Sequence, residues 1–411
     1  MPTVAPQKEP TRILIVGGGF GGVRTALNLR KQNLPNVKIT LLSDRHHFEY
    51  TPAYYKIAAG TSPMETCIPL SDIFPDRSVE VIVDTVVAGD TKEHVIFGAS
   101  GSRYRYDYLV LALGSETAYF NIPGIKEHSY SIKTIDEALR LKAHVHEVFN
   151  SHHGMSVFEL MSQFQFVIIG GGPAGVELAG VLRAYLRTLA RIHEVPERFV
   201  TVNLLQGAPR LLPTMNEEVS RRALKRLDSL GINIILGKAV AGEDAIGVYL
   251  KDIGFSARTI IWTAGVKATS VYEKITGLTL EKNGRIVVNE SMMAVGVRDV
   301  FVLGDSASTP FAGTAQTAIY DGHYIASALT SRLRRMNLPK YSPKPTPYVI
   351  PVGNNWAIFT FKNITLSGRI FFWLREIIDL RFFMSILPFK KAWFAWRSGG
   401  TQVESCPNCK H

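Results

Sequence analysis

Two glycine clusters, Gly17-Gly-Gly-Phe-Gly-Gly22 and Gly170-Gly-Gly-Pro-Ala-Gly175, share one spacing. Glycine at the first, third and sixth positions lets a backbone approach a pyrophosphate closely, while the following helix offers unpaired N–H groups and the positive end of its dipole. Gly17, Gly19 and Gly22, and then Gly170, Gly172 and Gly175, are therefore the candidate phosphate contacts. One such cluster also serves an ordinary tight turn; two copies in the same context point to two dinucleotide sites. Ser43 and Asp44 follow the first cluster by about twenty residues, where a ribose-binding group is expected. Gln206 ends the strand that follows the second cluster. Glu177 falls in the first turn beyond the second cluster, where the helix dipole alone already favours a carboxylate.

These residues need strand, loop and helix in that order. Arg12 to Val16 (RILIV) is a short apolar run before the first cluster; a helical pattern runs on to Leu29, and Val37 to Leu42 reads as the next strand. The same order returns at Phe166 to Ile169, a helix from Val176, and Val202 to Leu205. YDYLVLALGS (106–115) and RTIIWTAGV (258–266) each read as a strand returning to a glycine, Gly114 and Gly265, one per repeat. A third returning strand, Asp299 to Leu303, ends in Gly304-Asp305, and a helix is expected from Thr314 to about Arg335. The expected class is α/β, with two interleaved Rossmann-like domains: 11–122 with 285–336, and 123–284. Beyond Pro339 the composition changes, and 337–397 reads as a separate module holding strand-like VIPV and WAIFTF, before a flexible tail over 398–411. With 411 residues, 46% of them hydrophobic and 20% charged, the chain can bury large cores, which excludes a disordered protein.

The net charge of +11 is concentrated: no acidic residue lies between Asp321 and Glu376. Residues 367–397 interleave aromatic and aliphatic side chains with Arg369, Arg375, Arg381, Lys390, Lys391 and Arg397, and Pro388 separates two helical pieces. They read as interfacial helices on an anionic membrane surface, or as a homodimer interface, two readings that are compatible. Nucleic acid is not expected, since the cations accompany a wide apolar stripe. The uncharged run from Pro345 to Phe361 is too short and polar to span a bilayer, and the N-terminus lacks a secretory apolar core. Three cysteines give no disulfide framework and suit a reducing compartment. No metal site is expected in the body. Cys406 and Cys409 with His411 form half a zinc knuckle, open to a reduced tail, a metal shared between subunits or a redox pair.

The ordered set GGGFGG, LALGS, GGGPAGVELAG, WTAGV, VFVLGD and AQTAIYDG resembles the type II NADH dehydrogenases, from about residue 11 to Trp396. These are single-subunit flavoenzymes that pass electrons from NADH to membrane quinone without pumping protons, peripheral on the cytoplasmic face of the membrane. The resemblance implies FAD on Gly17, Gly19 and Gly22, with Ser43 or Asp44 at its ribose, Gly114 nearby, Asp305 at the ribityl chain and Gln316 at the flavin edge. It implies NADH or NADPH on Gly170, Gly172 and Gly175, with Glu177, Gln206 and Gly265. Glu177, Gln316 and Tyr320 are the expected catalytic side chains, Tyr320 standing where the family's quinone-side motif has a second glutamine. At Gln206 relatives that prefer NADH carry an acid; an amide does not repel a 2′-phosphate, so NADPH is expected to be accepted, with Arg210 either a phosphate partner or a solvated charge. Two rival readings are a sulfide:quinone oxidoreductase, suggested by SDRHHFEYTP but needing redox cysteines that the body, with Cys67 alone, lacks, and a slow nucleotide-binding membrane sensor.

Overall fold

The computed structural model describes residues 9–76, 78–251, 254–343 and 345–398. The chain divides into two compact units, Met1–Glu49 with Cys67–Glu116 and Val266–Thr346, and Tyr50–Thr66 with Thr117–Gly265 and Pro347–His411. Both are built on parallel sheets, the α/β class that the glycine clusters imply.

In the first unit five parallel strands lie in the order Val300–Val302, Tyr108–Leu111, Thr11–Val16, Val37–Ser43, Glu80–Val83. The central strands are nearly all apolar because a parallel sheet is covered on both faces. The helix Phe20–Arg30 follows the first glycine cluster, and Ala315–Leu333 lies along it. Their backbones nearly touch: a Cβ on Gly322 would stand 2.8 Å from the Gly21 carbonyl oxygen. A smaller sheet joins Ile275–Thr276, Val86–Asp90, Val95–Gly98 and Arg103–Arg105.

The second unit repeats the plan with Asn233–Leu236, Thr201–Gln206, Gln165–Ile169 and Thr259–Trp262, again all parallel. The helix Pro173–Ile192 follows the second cluster and places Pro173 in its first turn, where a missing N–H costs nothing. An antiparallel sheet of Tyr348–Pro351, Ala357–Phe361 and Ile364–Gly368 leads into helices Arg369–Ile386 and Phe389–Ser398. Its third strand is not foreseen from composition. Ile350, Val352 and Ile358 share one buried cluster with Leu178 and Leu182 of the long helix. Gly180 makes this approach possible, since a Cβ there would lie 2.3 Å from the Gly353 nitrogen.

Among the described residues no helix is long and apolar enough to cross a membrane. The two C-terminal helices expose Ile370, Trp373, Ile377, Phe389 and Phe394, together with Arg369, Arg381, Lys390, Lys391 and Arg397. Arg375, expected among those outward cations, is turned inward instead. Cys406, Cys409 and the rest of the tail lie outside the described residues.

Candidate active site

The glycines of each cluster divide by what surrounds them. A Cβ on Gly22 would sit 1.9 Å from the Gly17 carbonyl oxygen, and one on Gly175 1.9 Å from that of Gly170. Gly17 and Gly170 turn at φ +115° and +116°, against the backbones of Ala112 and Ala264. These four glycines are demanded by the chain itself. Gly19 and Gly172 are different: each caps its helix in an extended conformation with no side-chain cap, and a Cβ there would meet nothing within 4 Å. Both loops thus present open space over free helix N–H groups, which suits the pyrophosphate of a dinucleotide in each unit.

In the first unit Ser43 is buried beneath the loop, its Oγ 2.4 Å from where a Gly18 Cβ would be and accepting the Arg45 N–H at 3.3 Å. Asp44 points outward, its side chain 62% exposed. Asp305 stands on the turn Gly304–Ser306 and accepts the Ser115 hydroxyl at 2.6 Å. The turn is stitched from both sides. Gly114 N–H donates to Ser306 Oγ at 3.1 Å, Tyr272 OH lies 2.6 Å from the same oxygen, and the wholly buried Asp321 accepts the Gly304 N–H at 2.9 Å and the Tyr341 hydroxyl at 2.7 Å. Burial raises the Asp321 pKa, while its two donors pull it down. Tyr272 and Ser306 escape sequence reasoning because neither motif nor period marks them, and Ser115 and Asp321 lie within LALGS and AQTAIYDG with nothing in their type or spacing to single them out.

Gln316 is exposed in the first turn of Ala315–Leu333, whose Thr314 cap accepts the Thr317 N–H at 3.0 Å. Tyr320, one turn on, donates its hydroxyl to the Ser342 carbonyl at 2.5 Å and sets its ring 6.0 Å from that of Tyr341. Here it pins the following segment to the helix.

In the second unit Gln206 Oε1 accepts the Gly171 N–H at 2.9 Å. Arg210 donates to Ser220 Oγ at 2.7 Å and to the Pro213 carbonyl at 2.6 Å, so it braces its own loop, a role absent from both expectations for it. The Gly265 carbonyl accepts the Ala118 N–H at 3.1 Å, and Phe120 closes over Gly265. Glu177 is partly accessible yet densely surrounded by protein. That desolvation, more than the Asp379 charge, pushes its carboxyl up to about 7, against the pull of Arg375 and Lys56.

Glu177 feels the charges of a buried cluster assembled from distant parts of the chain. Lys56 donates to Glu376 at 3.3 Å and pairs with Glu65 at 3.6 Å. Arg375 donates to Asp379 at 2.8 Å, one helical turn along, and Tyr50 donates to the same oxygen at 2.5 Å. Burial by itself disfavours the Arg375 and Lys56 cations, but the surrounding carboxylates outweigh it and hold both protonated. Glu65 is 1% exposed, and burial raises its carboxyl to about 7 despite Lys56. Cys67 lies exposed on the short strand Cys67–Pro69, paired with His47–Glu49.

Residues 11–322 match the pyridine nucleotide-disulphide oxidoreductase family. A type II NADH:quinone oxidoreductase of Mycobacterium tuberculosis, Ndh, is 30% identical over 364 residues, 83% of this chain and 78% of that protein. The chain belongs to this family, among the type II NADH:quinone oxidoreductases. A type II enzyme of Staphylococcus haemolyticus is 26% identical across 94% of this oxidoreductase and 100% of its own length. In fold the oxidoreductase resembles NDH2 from Plasmodium falciparum, solved with NADH, at a TM-score of 0.85 and 18% identity over 95% of this chain and 97% of that one. It also resembles the sulfide:quinone oxidoreductase of Aquifex aeolicus, at a TM-score of 0.78 and 21% identity over 94% of this chain and 92% of that one.

Proposed function

We propose that this oxidoreductase takes a hydride from NADH or NADPH and delivers two electrons to a membrane quinone through FAD, without translocating protons. The observation that carries the reading is the pair of open cradles at Gly19 and Gly172, one per unit, each above a helix N-terminus. FAD on the first cradle supplies the two-electron carrier. Gly17, Gly19 and Gly22 hold its pyrophosphate, Ser43 or Asp44 its ribose, and Asp305 its ribityl chain, with Gly114 and Gln316 nearby. On the second, Gly170, Gly172 and Gly175 hold the nicotinamide dinucleotide, with Gln206 at its ribose, Gly265 beside it and Glu177 near the reacting end.

Sulfide oxidation needs redox-active cysteines, and the described residues carry Cys67 alone, exposed on an edge strand. Attachment to an anionic membrane surface is supported by the cations and large apolar side chains exposed along Arg369–Ile386 and Phe389–Ser398. A homodimer through the same face is compatible with it.

The test is anaerobic stopped-flow absorbance of the flavin-loaded protein near 450 nm, an ordinary flavin band, mixed with NADH or NADPH and then with a soluble quinone. Rapid bleaching and rapid recovery are expected. Bleaching without recovery makes the protein a sensor or a reductase of something else, and absence of bleaching removes the second cradle from the mechanism.

A further inference from the structure

Phe120 combines two features that burial does not explain. It is 64% exposed, and it lies in the left-handed region at φ +52°, followed by Asn121 at φ +54°. Asparagine tolerates that conformation; a bulky aromatic residue rarely adopts it, and where one does its surroundings impose it. Here they do. Ala118 N–H donates to the Gly265 carbonyl at 3.1 Å, the Trp262 indole N–H donates to the Ala118 carbonyl at 2.9 Å, and Ile122 N–H closes the turn on the Tyr119 carbonyl at 3.1 Å. The ring comes to rest on Gly265, where a Cβ would stand 2.6 Å from Phe120 Cζ, and its edge meets Trp262 with centroids 6.2 Å apart.

Gly265 is continuous with the second cradle. Two residues earlier the Thr263 hydroxyl donates to the Ile169 and Gly170 carbonyls, both at 3.0 Å, and the Gly170 turn packs against the backbone of Ala264. In the sheet, Thr201–Gln206 and Thr259–Trp262 lie on opposite sides of Gln165–Ile169, the strand that carries the glycine loop. Gln206 and Gly265 therefore flank that loop. A dinucleotide with its pyrophosphate at Gly172 and its adenosine ribose toward Gln206 extends its other half past the end of Thr259–Trp262.

We propose that Phe120 receives the nicotinamide half of the dinucleotide, its exposed ring stacking against the nicotinamide riboside; this inference rests on the assignment of the second cradle to NADH or NADPH. A ring already held in place by its turn offers contact area without being ordered on binding. The 2′-phosphate lies at the adenosine end, so Phe120 serves NADH and NADPH alike, and Gln206 stands at the end where they differ.

The test is calorimetric binding to the flavin-loaded protein, with NAD⁺ as a ligand that cannot reduce the flavin and ADP as one that has only the adenosine half and the pyrophosphate. Phe120→Ala should weaken NAD⁺ at least about fivefold and ADP by less than about twofold, and Phe120→Trp should bind NAD⁺ within about twofold of the parent. The melting temperature of Phe120→Ala should stay within about 2 °C of the parent's, because so exposed a ring contributes little to the core. Equal weakening of NAD⁺ and ADP overturns the proposal and leaves Phe120 a brace of its turn. If Phe120→Ala does not fold, Phe120→Leu decides, since it keeps apolar cover on Gly265 and Trp262 without a ring: a loss confined to NAD⁺ supports the stacking role, and parental affinity overturns it. A parent that binds neither NAD⁺ nor ADP removes the second nucleotide site itself. A parent that binds both, matched by Phe120→Ala, removes Phe120 and leaves that site standing.

Discussion

Gln206 closes its strand by accepting the Gly171 N–H on its side-chain oxygen at 2.9 Å. Ser43 has the same place in the other repeat: Val16 pairs with Leu42 as Ile169 pairs with Leu205, and the next residue tucks beneath the middle of the glycine cluster in both. With Oε1 accepting from the loop, the NH₂ group of Gln206 is left for a ligand, a donor that suits a hydroxyl or a phosphate oxygen. Gln206→Glu should therefore lower kcat/KM for NADPH by at least about tenfold, some 1.4 kcal/mol, and change that for NADH by less than about threefold. Equal loss on both nucleotides would reduce Gln206 to a loop brace.

Gly172→Val separates folding from binding. Valine tolerates the extended backbone of Gly172 (φ −76°, ψ −175°), and its Cβ projects into open space. The expected melting temperature is within about 2 °C of the parent, with KM for the nicotinamide dinucleotide raised at least about tenfold. Gly175→Ala, whose Cβ would meet the Gly170 carbonyl oxygen at 1.9 Å, should instead lower the melting temperature. A Gly172→Val protein that binds NADH normally would show that the open space is not the phosphate site.

Asp379→Asn leaves Arg375 buried without its anion and should destabilise the protein by about 3 kcal/mol, read by thermal unfolding. Arg375→Met combined with Asp379→Leu should recover more than half of that loss, because it is the orphaned charge that is costly. No recovery would mean that the pair itself holds the C-terminal helix in place.

Glu243 carries a pH effect. Burial pushes its carboxyl from the ordinary 4.5 up to about 8, helped by Asp244 and Glu127, and its Oε2 has no hydrogen-bond partner among the described residues. The folded chain therefore holds a proton there that the unfolded chain has released. That stabilisation is complete below the ordinary value and is lost as pH rises through about 8. Glu243→Gln should be more stable than the parent above that pH, by about 1 to 2 kcal/mol, and should flatten this part of the unfolding profile. Parallel profiles for the two proteins would count against a buried neutral carboxyl.

Much of the nucleotide-binding frame was legible because it is local. Gly17 to Gly22 lie between a strand and a helix that each announce themselves by period, and the second copy repeats them. The strands at Tyr348–Pro351 and Ala357–Phe361 and the break at Pro388 were readable for the same reason. The charge cluster was not. Tyr50 and Asp379 are 329 residues apart and Lys56 and Glu376 are 320 apart, so no period or spacing connects them. Arg375 reads as one more cation in an amphipathic stretch until Asp379, Tyr50 and the Val349 carbonyl are seen around it. Tyr320, expected to be catalytic because it stands where the family's motif has a second glutamine, also gives its hydroxyl to the Ser342 carbonyl, a contact that no spacing announces.

The C-terminal strands have a practical consequence for anyone handling the protein. Ile350, Val352 and Ile358 are part of the core beneath Pro173–Ile192, and Arg375 and Asp379 complete the surroundings of Glu177. Cutting the chain before Pro347 to make a more soluble enzyme would therefore open that core and strand Lys56 with half its counterions. Solubility has to be engineered at Ile370, Trp373, Ile377 and Phe394, residue by residue on the outer face, with the inner face of the same helices left intact.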